Sequence, residues 1–321
     1  MLAAQITAPR RFEIIETAEP NLESERDGSV LIRTNRSALC GSDMPAFAAE
    51  RPAGDYPLAP GLSMHECIGV IAATRSRRFK EGDTVVSIPR AKNGLAEYFL
   101  ADEAATVALV DSRDEDAMLI SQPLGTIIWA CRKLENLLNQ HTVVLGQGPM
   151  GLLMTRMLSN MGAKTVIGMD LLDYRLAVSH QMGATHTINP TDVDPVEAVI
   201  DITGGALADL VVEMVGHQTE TISECLKLVR RGGTVVAFGV PDEKVYGFQF
   251  SDFFRKNIHL IGAVGQEVQS DIPLAIDLIK QGRIDVAPII THHLPFTEAQ
   301  LGFELSLHKR DGAIKVFFEY D

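Results

Sequence analysis

The run VVLGQGPMG at 143–151 restricts this chain to few folds. It sets Gly146, Gly148 and Gly151 directly after a short apolar run and directly before an amphipathic one. In a strand–turn–helix setting that spacing has a mechanical reading. Gly146 permits the tight turn, Gly148 lets the backbone approach a pyrophosphate, and Gly151 lets helix and strand pack closely. The helix N-terminus then offers free N–H groups to the anion. MGLLMTRMLSNMG (150–162) carries apolar residues at 150, 153, 154, 157, 158 and 161, one helical face, and Gly162 is placed to end it. The next strand, TVIGMD, closes on Asp170, 19 residues past Gly151. A carboxylate there bonds ribose hydroxyls and repels a 2′-phosphate, which favours NAD over NADP. Arg175, five residues further on, tempers that preference because it can reach phosphate or adenine. The alternative is a glycine-rich turn with no ligand.

The surrounding pattern gives the turn its context. Strand-like runs at 141–146, 165–169, 185–188, 209–215, 234–239 and 258–264 alternate with helical stretches near 173–182, 195–202, 218–230 and 250–256. Such alternation predicts a parallel sheet covered on both faces, doubly wound as in dinucleotide-binding folds. Residues 1–110 have a different texture, with short β runs (29–35, 67–74, 83–88, 105–110) between turn residues. Between the two textures, 117–139 reads as one or two helices. The tail reads as helix (272–282), strand, helix (297–312) and strand (313–320), a return to the first texture.

Composition removes several functions. The net charge of −13, without a Lys/Arg cluster beyond the loop at 74–83, argues against a nucleic-acid partner. No apolar run reaches membrane-spanning length, and no basic stretch leads into an apolar one near Met1, so a cytoplasmic location without membrane association is expected. The four cysteines, Cys40, Cys67, Cys131 and Cys225, are far apart and form no CxxC pair, which points away from a disulfide framework and a cysteine-only zinc site.

Cys40, in ALCGSDMPAF (38–47), is therefore a metal ligand, a nucleophile or a core thiol. His65 and Glu66 stand together in PGLSMHECIGV (60–70). Cysteine, histidine and a carboxylate are ligand types of a catalytic zinc with an open position. The 25 residues from Cys40 to His65 are not a local metal motif, however, and a hydrogen-bonded core histidine remains the plain alternative. The nucleophile reading needs an environment that lowers the thiol pKa.

The chain resembles the medium-chain, zinc-dependent alcohol dehydrogenase superfamily, nearest its polyol and sugar dehydrogenase branch. CGSD (40–43) resembles the family's catalytic cysteine motif and HECIG (65–69) its GHE segment. EGDTVV (81–86), GLAEY (94–98), the glycine turn and PIITHHLPFTEAQLGFEL (288–305) match further motifs in order along the chain. The resemblance implies an α/β chain in which a Rossmann domain (122–263) is inserted into a mostly β, GroES-like catalytic domain made of 1–121 and 264–321. It implies hydride transfer between NAD(H) and a secondary alcohol or ketone on a polyol, sugar or cyclitol, in a homodimer or homotetramer. Cys40 and His65 would ligate one zinc per chain, Glu66 would be a ligand or exchangeable partner, Ser42 would bond the substrate hydroxyl, and Asp43 would orient a ligand. Pro149, Met150, Val215, Gly239 and Val264 are expected along the cofactor beside the glycines, Asp170 and Arg175, with Lys315 near its phosphates.

The chain also departs from the family. Gln122, in SQPLG, stands where an acidic ligand is common, and a neutral amide oxygen is a weak zinc ligand beside thiolate and imidazole. Cys40 thiolate and Glu66 carboxylate would balance Zn²⁺, leaving Gln122 to hold a substrate hydroxyl. Met64 replaces a glycine, with an altered pocket expected, and Pro45 replaces a proton-relay histidine. Only SIPRAKN (87–93) spans the place of a four-cysteine zinc lobe, so no structural zinc is expected. The alternatives are a zinc-free quinone or enoyl reductase of the same superfamily and a non-enzymatic NAD sensor.

Overall fold

A computed structural model describes residues 1–49, 51–110, 114–218, 220–241 and 244–321, and the counts below refer to these. The chain divides into two compact units. One comprises Met1–Gly125, Glu267–Lys280 and Ile290–Asp321, and the other Thr126–Gln266 and Gln281–Ile289.

The first unit begins with a hairpin that sequence reasoning overlooked, β1 (Leu2–Ala8) and β2 (Arg11–Glu16). There follow β3 (Ser29–Ala38), α1 (Met44–Ala48), β4 (Glu66–Thr74), β5 (Thr84–Ser87), β6 (Tyr98–Asp102), β7 (Thr106–Ala108) and α2 (Glu115–Leu119). Helix α3 (Ser121–Cys131) has residues in both units.

The second unit holds β8 (His141–Leu145), α4 (Pro149–Asn160), β9 (Thr165–Met169), α5 (Asp173–Gln181), β10 (His186–Ile188), α6 (Pro195–Thr203), β11 (Ala208–Glu213), α7 (Thr221–Leu228), β12 (Val229–Ala237), α8 (Phe250–Lys256) and β13 (His259–Gly262). Its six strands are all parallel, in the order β10-β9-β8-β11-β12-β13. This is the doubly wound order expected, and the strand order reverses between β8 and β11. The inner strands bury Val and Ile residues such as Val143, Ile167, Val211 and Val235, as such a sheet requires, whereas the edge strand β13 is largely exposed. Helix α4 buries Leu152, Leu153, Met154 and Leu158, close to the predicted face, and Gly162 follows it with φ +89°.

The chain then gives α9 (Val268–Lys280), β14 (Ile290–Pro295), α10 (Ala299–His308) and β15 (Lys315–Glu319). In the first unit β14-β15-β3-β4-β5-β7 form one sheet, with β6 also on β3. The Phe12, Phe47 and Phe303 rings, with centroids 4.8–5.3 Å apart, pack the hairpin, α1 and α10 into one core. The tail thus returns to the first unit, with one interruption. Gln281–Ile289 group with the second unit, because Arg156 and Asn160 of α4 donate to the Arg283 carbonyl at 3.1 and 2.9 Å. No helix of the described residues is long and apolar enough to cross a membrane.

Candidate active site

The gap between Cys40 and His65 closes through strand register. Strands β3 and β4 pair antiparallel with Ala38 opposite Glu66. Cys40, two residues past β3, and His65, one before β4, are thereby brought together. Ligand atoms of Cys40, His65 and Glu66 all lie within 4.8 Å of one another.

Asp43 organises this group. It is buried, its Oδ2 accepts the Cys40 N–H at 2.9 Å, and its Oδ1 lies 3.0 Å from His65 Nδ1. The Asp43 N–H donates back to the Cys40 carbonyl at 3.0 Å, closing the 3-10 turn Gly41–Asp43. Ser42 Oγ donates to Cys40 Sγ at 3.3 Å. With Nδ1 held by a carboxylate, Nε2 is the ring atom free for a metal, the usual arrangement around a metal-binding histidine. Burial alone would lower the His65 pKa. Hydrogen bonds and charges from Asp43 and Cys40 outweigh it, and the imidazole is pushed up to about 11. These anionic groups favour a cation, and in the metal-free site a proton meets that demand. A thiolate, an imidazole and a carboxylate, with Asp43 behind them, fit zinc with an open position.

Glu66 has a second partner. Lys315 Nζ lies 2.6 Å from its Oε2 and 2.8 Å from its Oε1, and both residues are 1% exposed. Lys315, expected near the cofactor phosphates, is here paired with Glu66. Strand β15 pairs with β3 with Phe317 opposite Ala38, which sets Lys315 beside the Cys40 end of β3, where its ammonium pairs with Glu66. The expected charge balance at the metal group therefore includes a third charge. Met64 also differs from expectation. Its side chain is fully buried in a cluster with Phe47, Leu95 and Phe318, so it fills core rather than reshaping a pocket. Gln122 is buried in α3 at 4% exposure, and Pro45 is exposed in the first turn of α1.

In the second unit Gly146 has φ +96°, and a Cβ on Gly151 would lie 1.8 Å from the Gly146 carbonyl oxygen. A Cβ on Gly148 would meet only Arg175 Nη1, at 3.9 Å, leaving open space where a pyrophosphate would approach. Pro149 opens α4, where its missing N–H costs nothing, and Met150 follows. Asp170 Oδ2 accepts the Gln147 N–H at 2.7 Å and Oδ1 the Leu172 N–H at 3.0 Å. Arg175 Nη1 stands 3.5 Å from Asp170 Oδ2. Val215, Gly239 and Val264 follow β11, β12 and β13 at the carboxyl edge of the sheet, with Val264 84% exposed.

The two glycines make separable predictions. Gly148→Ala should leave the unfolding midpoint unchanged and weaken NAD binding about tenfold or more, by filling the approach to the phosphates. Gly151→Ala should destabilise the fold by about 1–3 kcal/mol, because two backbone segments must move apart. Titration with NADH alongside urea unfolding distinguishes them.

The remaining singled-out residues have plain roles. Burial raises the thiols of Cys67 and Cys225 well above their usual range and pushes Cys131 up to about 12, which makes them core thiols. Glu97 accepts the Leu2 N–H at 2.6 Å, tying down the N-terminal strand. On β14, His292 lies 3.5 Å from Asp311, and His293 lies 3.3 Å from Glu319.

Comparison with known proteins adds the family. A model of the alcohol dehydrogenase GroES-like domain matches residues 26–111, and a model of zinc-binding dehydrogenases matches 149–281. L-threonine 3-dehydrogenase of Bacillus subtilis (strain 168) is 33% identical over 92% of this chain and 92% of its own length. An uncharacterized zinc-type alcohol dehydrogenase-like protein, YdjJ of Escherichia coli (strain K12), is 27% identical over 98% of each. Alcohol dehydrogenase TADH from Thermus sp. ATN1 shares the fold with a TM-score of 0.89 at 24% identity, covering 100% of both chains. With both family models matched in order and one-third identity to a full-length relative, the chain belongs to the zinc-type medium-chain alcohol dehydrogenase superfamily and is an alcohol-oxidising oxidoreductase.

Proposed function

We propose that this protein transfers hydride reversibly between NAD(H) and a secondary alcohol or its ketone, with one catalytic zinc held by Cys40, His65 and Glu66. The reading rests above all on the convergence of those three residues within 4.8 Å, locked from behind by Asp43. Zinc at such a site supplies Lewis-acid polarisation of an alcohol or carbonyl oxygen. The chain's own residues set the geometry. Asp43 fixes the His65 ring and the Cys40 backbone at once, so neither ligand reorients during the reaction. The Ser42 hydroxyl, 3.3 Å from Cys40 Sγ, would accept the substrate hydroxyl proton while releasing its own to water, in the absence of a histidine at Pro45. Gln122 holds a further substrate hydroxyl. A bound nicotinamide would supply the hydride acceptor or donor. Asp170 selects NAD through the ribose hydroxyls.

A polyol, sugar or cyclitol is the proposed substrate class. The L-threonine named for the Bacillus subtilis relative also carries its hydroxyl on a secondary carbon. The protein would act in the cytoplasm as a homodimer or homotetramer, without a structural zinc. The test is a panel of secondary polyols, sugars and L-threonine with NAD and with NADP, followed at the absorbance of the reduced nicotinamide. Turnover of a secondary alcohol with NAD preferred supports the reading. Zinc-independent reduction of quinones or enoyl compounds, with no alcohol oxidised, would replace it.

A further inference from the structure

Glu213 closes β11, ADLVVE, directly after the apolar run Leu210, Val211 and Val212, and is 3% exposed. It lies on β11, beside β8, at the position where the strand order of the parallel sheet reverses. Its three side-chain partners are backbone N–H groups. Oε1 accepts from Val215 at 2.9 Å and Gly216 at 3.1 Å, and Oε2 accepts at 3.1 Å from Gly239, whose N–H is shared with the Glu213 backbone carbonyl. The first two belong to the loop after β11 and the third to the loop after β12. The loops are further tied by the His217 N–H, which donates to the Val240 carbonyl at 2.9 Å. They are packed so closely that a Cβ on Gly239 would lie 2.3 Å from Gly216 N and 2.4 Å from Glu213 Oε2. The loop after β11 also abuts the phosphate turn, where a Cβ on Gly146 would lie 2.9 Å from Val215 Cγ2.

Ligands of doubly wound sheets bind outside the carboxyl ends of the strands at this reversal. A carboxylate is costly to bury, and three N–H donors offset that cost only while both loops keep this conformation. We propose that Glu213 is a positioning residue: it clamps the loops after β11 and β12 into the cofactor-binding shape before the cofactor arrives. The proposal rests on the reading that a nicotinamide cofactor binds this sheet edge. The clamp lowers the ordering cost of binding and so acts on cofactor affinity, not on the metal group.

The test uses NADH titration, initial rates and urea unfolding on wild type, Glu213→Gln and Glu213→Asp. The glutamine variant turns an NH2 toward N–H donors, so at least one loop is released. It should raise the NADH Kd and the KM for NAD about tenfold or more, with kcat, the alcohol KM and zinc content near wild type. Aspartate keeps the charge but is one methylene shorter, and should recover part of the affinity. Wild-type NADH affinity in folded Glu213→Gln, with only the unfolding midpoint lowered, would overturn the proposal. Hydrogen exchange on the wild type needs no variant. The Val215 and Gly216 amides, whose acceptor is the Glu213 carboxylate, should be protected before NADH is added, and fast exchange that slows only with NADH would refute preformation. If wild type shows that protection and yet binds no NADH, the cofactor reading fails rather than the clamp.

Discussion

His65→Ala should lose zinc and about three orders of magnitude in kcat/KM, as expected when Lewis-acid stabilisation worth several kcal/mol is withdrawn. The variant removes one ligand and leaves Asp43 buried with half of its bonding unmet. Asp43→Asn keeps the shape and should cost less, about 10–100-fold in zinc affinity, by weakening the hold on the ring. The same pair gives a pH dependence. In the metal-free protein His65 is pushed up to about 11, far above its ordinary 6.5. Its contribution to the metal-free fold is therefore fully present below pH 6.5 and declines as pH rises towards 11. Zinc needs the neutral ring, so zinc binding releases this proton and tightens as pH rises over the same interval. Competition with a chelator across pH 6–9 checks the direction, and the His65→Ala protein should lose most of the slope.

Lys315→Met should destabilise the protein by about 3–5 kcal/mol, because it strands the Glu66 carboxylate at 1% exposure. The double variant Lys315→Met/Glu66→Leu should regain most of the loss, since replacing both members of a buried pair with apolar groups is often nearly neutral. Its zinc affinity should nonetheless fall, because Glu66 is one of the three proposed ligands. Urea unfolding of the metal-free proteins separates the stability effect from the metal effect. A single Lys315→Met variant as stable as wild type would mean that Glu66 does not depend on this partner.

The second unit was legible because its signals are local. Glycine spacing, the helical face of 150–162 and the carboxylate at Asp170 each lie within a few residues of the element they define. The first unit was legible in part. Strands β3, β4, β5 and β7 were readable from β-rich runs, but β1 and β2 have no strong punctuation, and Phe12 declares its role only when Phe47 and Phe303 meet it. The metal group depends on the Ala38–Glu66 register, a long-range fact that spacing alone left open and family resemblance supplied. The pairing of Lys315 with Glu66 was hidden for the same reason. Its partner is 249 residues away, and nothing around AIKVFFEY indicates that a buried carboxylate awaits it. Glu213 did leave a local signal, a charge closing the apolar run Leu210–Val212.

The most direct measurement is zinc K-edge X-ray absorption on metal-replete protein, with zinc per chain counted on the same sample. The account predicts about one zinc per chain, with one sulfur neighbour near 2.3 Å and nitrogen and oxygen neighbours near 2.0–2.2 Å, imidazole among them. No zinc retained, or a shell of several sulfurs, would contradict it.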